Sequence, residues 1–173
     1  MSTQTIRPVS TILQTSFTVV GASTAHEAVD EETQNGDTDY ATCNSATAVL
    51  ALGLQNHVIP EDAVFNSLTV ACWLRRLAGA VGTVHLDIGV RSGETFYMIA
   101  ELDILGSSYV AFSGTSTASP VTGLPWTAAA INASDWCFVA TLGPPRATIR
   151  ITQADGEVDY EIPTFTQWVD GAS

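Results

Sequence analysis

Apolar and polar residues alternate along much of this chain. In Thr83-Val84-His85-Leu86-Asp87-Ile88-Gly89-Val90-Arg91 the apolar side chains hold every even position and polar or small ones every odd position. Successive side chains of a β-strand point to opposite faces, so this spacing predicts a half-buried strand. Leu68-Thr69-Val70-Ala71-Cys72-Trp73-Leu74 obeys the same rule, with Leu68, Val70, Cys72 and Leu74 inward. Thr148-Ile149-Arg150-Ile151-Thr152 is a third case. Further strands are expected over 12–20, 40–51, 95–104, 109–112, 136–142 and 157–162.

Turn chemistry separates these runs. Ala78-Gly79-Ala80 and Arg91-Ser92-Gly93-Glu94 are expected to close tight hairpins. Asp155-Gly156 is expected to close another, between 149–154 and 157–162, because Gly tolerates the positive φ such turns demand. About nine short strands, with a turn every ten residues or so, predict an all-β fold. The expected architecture is an antiparallel two-sheet sandwich, jelly-roll-like. Two short helices interrupt it. Thr24-Ala25-His26-Glu27 has capping-box spacing and predicts a helix running to about Glu32, with Ala25, Ala28 and Val29 on the core. Thr127 to Asn132 predicts a second turn or two, and 114–125 forms the longest polar loop. The sandwich is expected over 12–162, with extended arms at 1–11 and 163–173.

Composition narrows the function classes. A chain of 173 residues, 46% hydrophobic, suits one domain with a core that needs no staples. No apolar run approaches the roughly 20 residues of a membrane helix. Met1-Ser2-Thr3-Gln4-Thr5-Ile6-Arg7-Pro8 lacks a basic start followed by an apolar stretch, so no secretory signal is expected, and synthesis in a cytoplasm is. Six Lys+Arg, every one an Arg, face eighteen Asp+Glu, for a formal charge of −12. Nucleic-acid binders need cations to displace phosphate counterions, and here they are few and scattered, so no nucleic-acid or membrane partner is expected. Cys43, Cys72 and Cys137 form no Cys-x-x-Cys pair and read as buried free thiols.

No catalytic constellation or cofactor motif emerges. His26, His57 and His85 fall in no metal-ligand spacing, and neither a Gly-x-Ser-x-Gly elbow nor a phosphate loop is present. Asn35, Asp37 and Asp39 alternate as oxygen ligands do in some calcium loops, but the later Glu is missing and a solvated turn is the plainer reading. Glu157, Asp159 and Glu161 alternate along one strand, and Glu94, Glu101 and Asp103 would complete a glycosidase-like pair only if the fold brought them near. Trp136 reads as core, whereas Trp126 follows a Pro in a loop and is expected to be exposed, as a sugar-stacking ring would be. The apolar residues of the arms, Ile6 with Arg7 and Phe165, Trp168 and Val169, are the expected partner contacts.

The order of these motifs resembles a β-sandwich module of virion proteins in tailed bacteriophages. The resemblance rests on Arg7-Pro8, a short acidic-ended helix before Asp37-Thr38-Asp39-Tyr40, and a strand with an Arg pair from Val70 to Arg76. It continues through the alternating strand from Val84 to Gly93, the Pro-x-x-Gly-x-Pro-Trp-Thr segment from Pro120 to Thr127, and Asp159-Tyr160-Glu161. It spans about residues 7–161 through collinear order, since each motif is short. What it implies is a non-enzymatic virion structural protein. The expected role is a capsid decoration or cement (minor capsid) protein on the major capsid protein lattice of a head, as a homo-oligomer and by preference a trimer. A tail, adaptor or host-recognition component is the alternative, and a carbohydrate-binding module the second.

Overall fold

The computed structural model describes residues 2–33, 37–54, 60, 62–77, 82–143 and 147–163. Two antiparallel sheets form a sandwich, as the alternation predicts. The six-stranded sheet runs β3 (Thr18–Val20), β4 (Tyr40–Cys43), β11 (Ile149–Glu161), β6 (Val64–Arg76) and β9 (Val110–Ser116), with β1 (Ser2–Ile6) also paired to β11. The five-stranded sheet runs β2 (Pro8–Thr15), β5 (Thr47–Leu54), β10 (Asp135–Leu142), β7 (Val84–Ser92) and β8 (Thr95–Asp103). Leu68, Val70, Cys72 and Leu74 of β6 face Leu86, Ile88 and Val90 of β7 and Trp136 and Phe138 of β10 in one core, all essentially solvent-free. Burying each such side chain contributes about 1.5–3 kcal/mol. No described helix is long and apolar enough to cross a membrane.

Several expected elements come out differently. The run 12–20 is broken at Ser16, whose φ of 61° turns the chain from β2 in one sheet to β3 in the other. The run 40–51 breaks at 44–46 for the same purpose, leaving β4 and β5 in different sheets. Sequence alternation fixes which face a residue takes, but it cannot say which sheet a strand joins.

Asp155-Gly156 is not a hairpin. Strand β11 runs straight through it, with Gly156 opposite Val70 of β6 and Ile6 of β1. A Cβ there would lie 2.4 Å from the Trp136 ring and 2.4 Å from the Thr69 carbonyl oxygen, so the glycine makes room for the buried indole. Strands β6 and β7, expected to pair around Ala78–Gly79–Ala80, lie in separate sheets, and that turn is outside the described residues. The β7–β8 hairpin forms as expected, with Gly93 at φ 59° and Ser92 paired to Thr95.

The helix expected from Thr24 does not form, although its capping box does. The Thr24 amide donates to Glu27 Oε2 (3.0 Å) and the Glu27 amide to Thr24 Oγ1 (3.4 Å), but only turns follow. Ala25, Ala28 and Val29 are buried nonetheless, and Val29 O accepts the Ala154 amide of β11 at 2.7 Å. The second expected helix forms as α1 (Ala128–Asn132), capped by Thr127 Oγ1, which accepts the Ala130 amide. The stretch expected as an N-terminal arm lies in strands from Ser2 onward, joining both sheets through Arg7.

Candidate interaction face

The two central strands of the six-stranded sheet each carry one arginine on their outward phase. Arg75 of β6 and Arg150 of β11 are cross-strand neighbours, since Leu74 and Ile149 of the same runs point into the core. Two adjacent guanidiniums repel unless an anion joins them. Asp37 supplies it from the segment before β4. Its Oδ1 accepts from Arg150 Nη1 (2.6 Å) and Tyr109 Oη (2.7 Å), and its Oδ2 accepts from Arg75 Nη2. Each guanidinium also lies over a ring, Arg75 at 4.8 Å from the Tyr109 centroid and Arg150 at 4.2 Å from that of Tyr40.

Partial burial pushes the Asp37 carboxyl up, but the hydrogen bonds from Tyr109 and Arg150 and both cationic charges hold it below the ordinary carboxylate value. Burial and the bond to Asp37 move the Tyr109 phenol the other way, to about 12. The cluster therefore stays charge-paired across the neutral range. Two residues along β6, Trp73 is 37% exposed on the same face, with Ala111 of β9 and Gln153 of β11 as its cross-strand neighbours. Charge-assisted donors, two ring-backed guanidiniums and a partly exposed indole thus share one sheet face.

Asp37 and Asp39 take different partners. Asp37 is engaged by the arginines, while Asp39 hydrogen-bonds the Glu31 carboxyl, which burial chiefly pushes up to about 7. Asn35 lies outside the described residues. Ile6 is 2% exposed inside the domain's own core, and Arg7, half-buried, reaches Glu32 at 3.7 Å. Phe165, Trp168 and Val169 lie outside the described residues.

Trp126, expected to be exposed, is buried, its Nε1 donating to Ser116 O at 3.0 Å. Among the described residues the exposed indole is Trp73 instead. Its outward phase is readable in the 68–74 alternation, which puts Leu68, Val70, Cys72 and Leu74 inward. Glu157 and Asp159 lie on the outer side of the six-stranded sheet and Glu101 and Asp103 on that of the five-stranded sheet, so no glycosidase pair forms among them. Burial pushes the Cys43 and Cys137 thiols up to about 12 and raises Cys72 as well, which keeps all three protonated and inert.

Two cavities, of about 190 and 220 Å³, open on the described surface. The larger is lined by apolar side chains including Leu102, Ile104, Leu105 and Phe112. Both fall below the roughly 300–1,000 Å³ of small-molecule pockets.

No protein-family model and no curated protein matches the chain. Several solved structures align over most of the chain. The CBM22-1 xylan-binding domain of Paenibacillus barcinonensis Xyn10C aligns over 92% of this chain and 99% of its own, at 10% identity and a TM-score of 0.44. A cyclase from Fischerella sp. TAU aligns over 94% of this chain and 86% of its own, at 12% identity and 0.46. The Broad Bean Stain Virus structure aligns over 94% and 91%, at 13% identity and 0.33.

Proposed function

We propose that this chain is a non-catalytic virion structural protein, a capsid decoration or cement protein that docks on the major capsid protein lattice as a homo-oligomer. The observation that carries the binding role is the outer face of the six-stranded sheet, where Trp73, Arg75, Arg150, Tyr40 and Tyr109 are gathered. Trp, Tyr and Arg are the residues that dominate protein–protein interface energetics. Asp37 holds both guanidiniums in place before any partner arrives, so little side-chain freedom is lost on binding. The assignment of the partner to a capsid rests on the collinear motif order from Arg7 to Glu161.

The test is co-sedimentation of the purified chain with heads and with tails of the virus that encodes it. The expected result is association with heads, weakened about 10-fold or more by Trp73→Ala, in line with the roughly 2 kcal/mol of a hot-spot residue. Association with tails alone would replace the decoration role by the tail or adaptor role. Binding to a glycan array that is lost in Trp73→Ala would favour the carbohydrate-binding alternative.

A further inference from the structure

The opposite outer face, that of the five-stranded sheet, carries a different cluster. His85 and Asp87 lie two residues apart on β7 and share its outward phase. Across the hairpin, Asp103 is paired with His85 and Glu101 with Asp87. His85 Nε2 lies 2.9 Å from Asp87 Oδ1 and 3.7 Å from Glu101 Oε2, and one ligand atom from each of these residues falls within 4.8 Å of the others. Ligand atoms on one first-row divalent ion, at bonds of about 2.0–2.2 Å, sit roughly 3–3.5 Å apart. The observed spacing needs only a small swing of Glu101, whose side chain is 64% exposed.

Two further features point to a cation. The other ring nitrogen, Nδ1, lies 2.8 Å from Asp103 Oδ1. A carboxylate there fixes Nδ1 as the protonated nitrogen and aims the Nε2 lone pair at the two remaining acids, which is the outer-shell support that metal-binding histidines have. Asp87 Oδ1 is shielded from solvent and has His85 Nε2 as its near neighbour at 2.9 Å. With Nε2 protonated this contact is an ion pair, and the neighbouring acids favour the protonated ring; once that proton leaves, two electron-pair donors face each other in a place that a divalent ion can take.

We infer that His85 Nε2, Asp87 and Glu101 form a site for a first-row divalent metal ion, zinc in the first place, with Asp103 positioning the imidazole. One nitrogen with carboxylate oxygens suits zinc-like ions better than calcium, which takes oxygen ligands. Three protein ligands leave a solvent-facing position for water or for a donor from a second molecule.

The experiment is calorimetric titration of the full chain with zinc chloride, with cobalt(II) as a spectroscopic probe and calcium chloride as a control. One equivalent of zinc is expected, with visible cobalt bands that zinc displaces and weaker or no calcium binding. His85→Ala is expected to abolish binding and Asp103→Asn to weaken it about 10-fold with stoichiometry kept. His26→Ala, at the turn beside β2, leaves it unchanged. Should His85→Ala fail to fold, judged by circular dichroism, Asp87→Asn and Glu101→Gln provide the same test. Absence of zinc binding, binding that survives these substitutions, or calcium bound as tightly as zinc would each overturn the inference.

Discussion

The two outer faces of the sandwich solve the same geometric problem with opposite charge counts. On the six-stranded sheet, two arginines on neighbouring strands share one aspartate, and two tyrosine rings back them. On the five-stranded sheet, one histidine stands among three carboxylates. The first cluster is closed by its own anion, and a partner meets a preset surface. The second holds more negative charge than its histidine can offset, so it favours a cation from outside. Cross-strand pairing supplies proximity in both cases, and the ratio of cations to anions decides whether the cluster stabilises the fold or waits for a ligand.

The strongest way to break the comparison is to disturb the base the faces share. Gly156→Ala would drive a methyl group into the Trp136 ring between the sheets. A loss of about 3 kcal/mol is expected, read by urea unfolding, with both surfaces weakened together. A mutant of parental stability would mean that the indole can move aside.

Next in size is Asp37→Ala, which leaves Arg75 and Arg150 facing each other. With the carboxylate 43% exposed, about 1 kcal/mol is expected at neutral pH. The sign of the pH dependence follows from the depressed carboxyl. The contribution is complete above the unfolded value near 3.9 and disappears as pH falls through the lower folded value. Parent and mutant should therefore converge in stability below about pH 4. A gap that persists in acid would assign the effect to packing and not to charge.

The smallest effect has the opposite sign. Asp87 and Glu101 are like charges directly opposite one another, so Glu101→Gln should stabilise the metal-free chain by a few tenths of a kcal/mol. The gain should shrink in 0.5 M salt. Removal of an acid would then weaken one face and strengthen the other.

Inward positions were the legible part of this fold. Leu68, Val70, Cys72 and Leu74, like Val84, Leu86, Ile88 and Val90, are buried where the alternation put them. Sheet membership was not legible, because a break at Ser16 or at 44–46 looks like any short loop. The arginine cluster was half visible: Arg75 and Arg150 had a readable outward phase, but Asp37 and Tyr109 reach them from segments far away in sequence.

The histidine cluster depends on a subtler device. Counting back from the Gly93 turn sets Glu101 opposite Leu86, which would point the acid into the core. A bulge between Ile88 and Gly89 shifts the register by one and returns Glu101 and Asp103 to the outside. Gly89 permits it, since a Cβ there would lie 2.1 Å from the Tyr97 carbonyl oxygen. The consecutive apolar residues Met98, Ile99 and Ala100 are the trace this irregularity leaves in the sequence.

The pairing of β1 with β11 bears on how the protein comes into being. Synthesis proceeds from the N-terminus, so Ser2–Ile6 emerges early and its partners, Gly156 to Tyr160, emerge long afterwards. At about 5–20 residues per second, that interval is on the order of ten seconds. Because β11 also joins β4 and β6, the six-stranded sheet has no centre until then. The five-stranded sheet has all its strands once Leu142 has been made. The strands of the surface bearing the acids are thus complete before those of the surface bearing the arginines, which wait for β11.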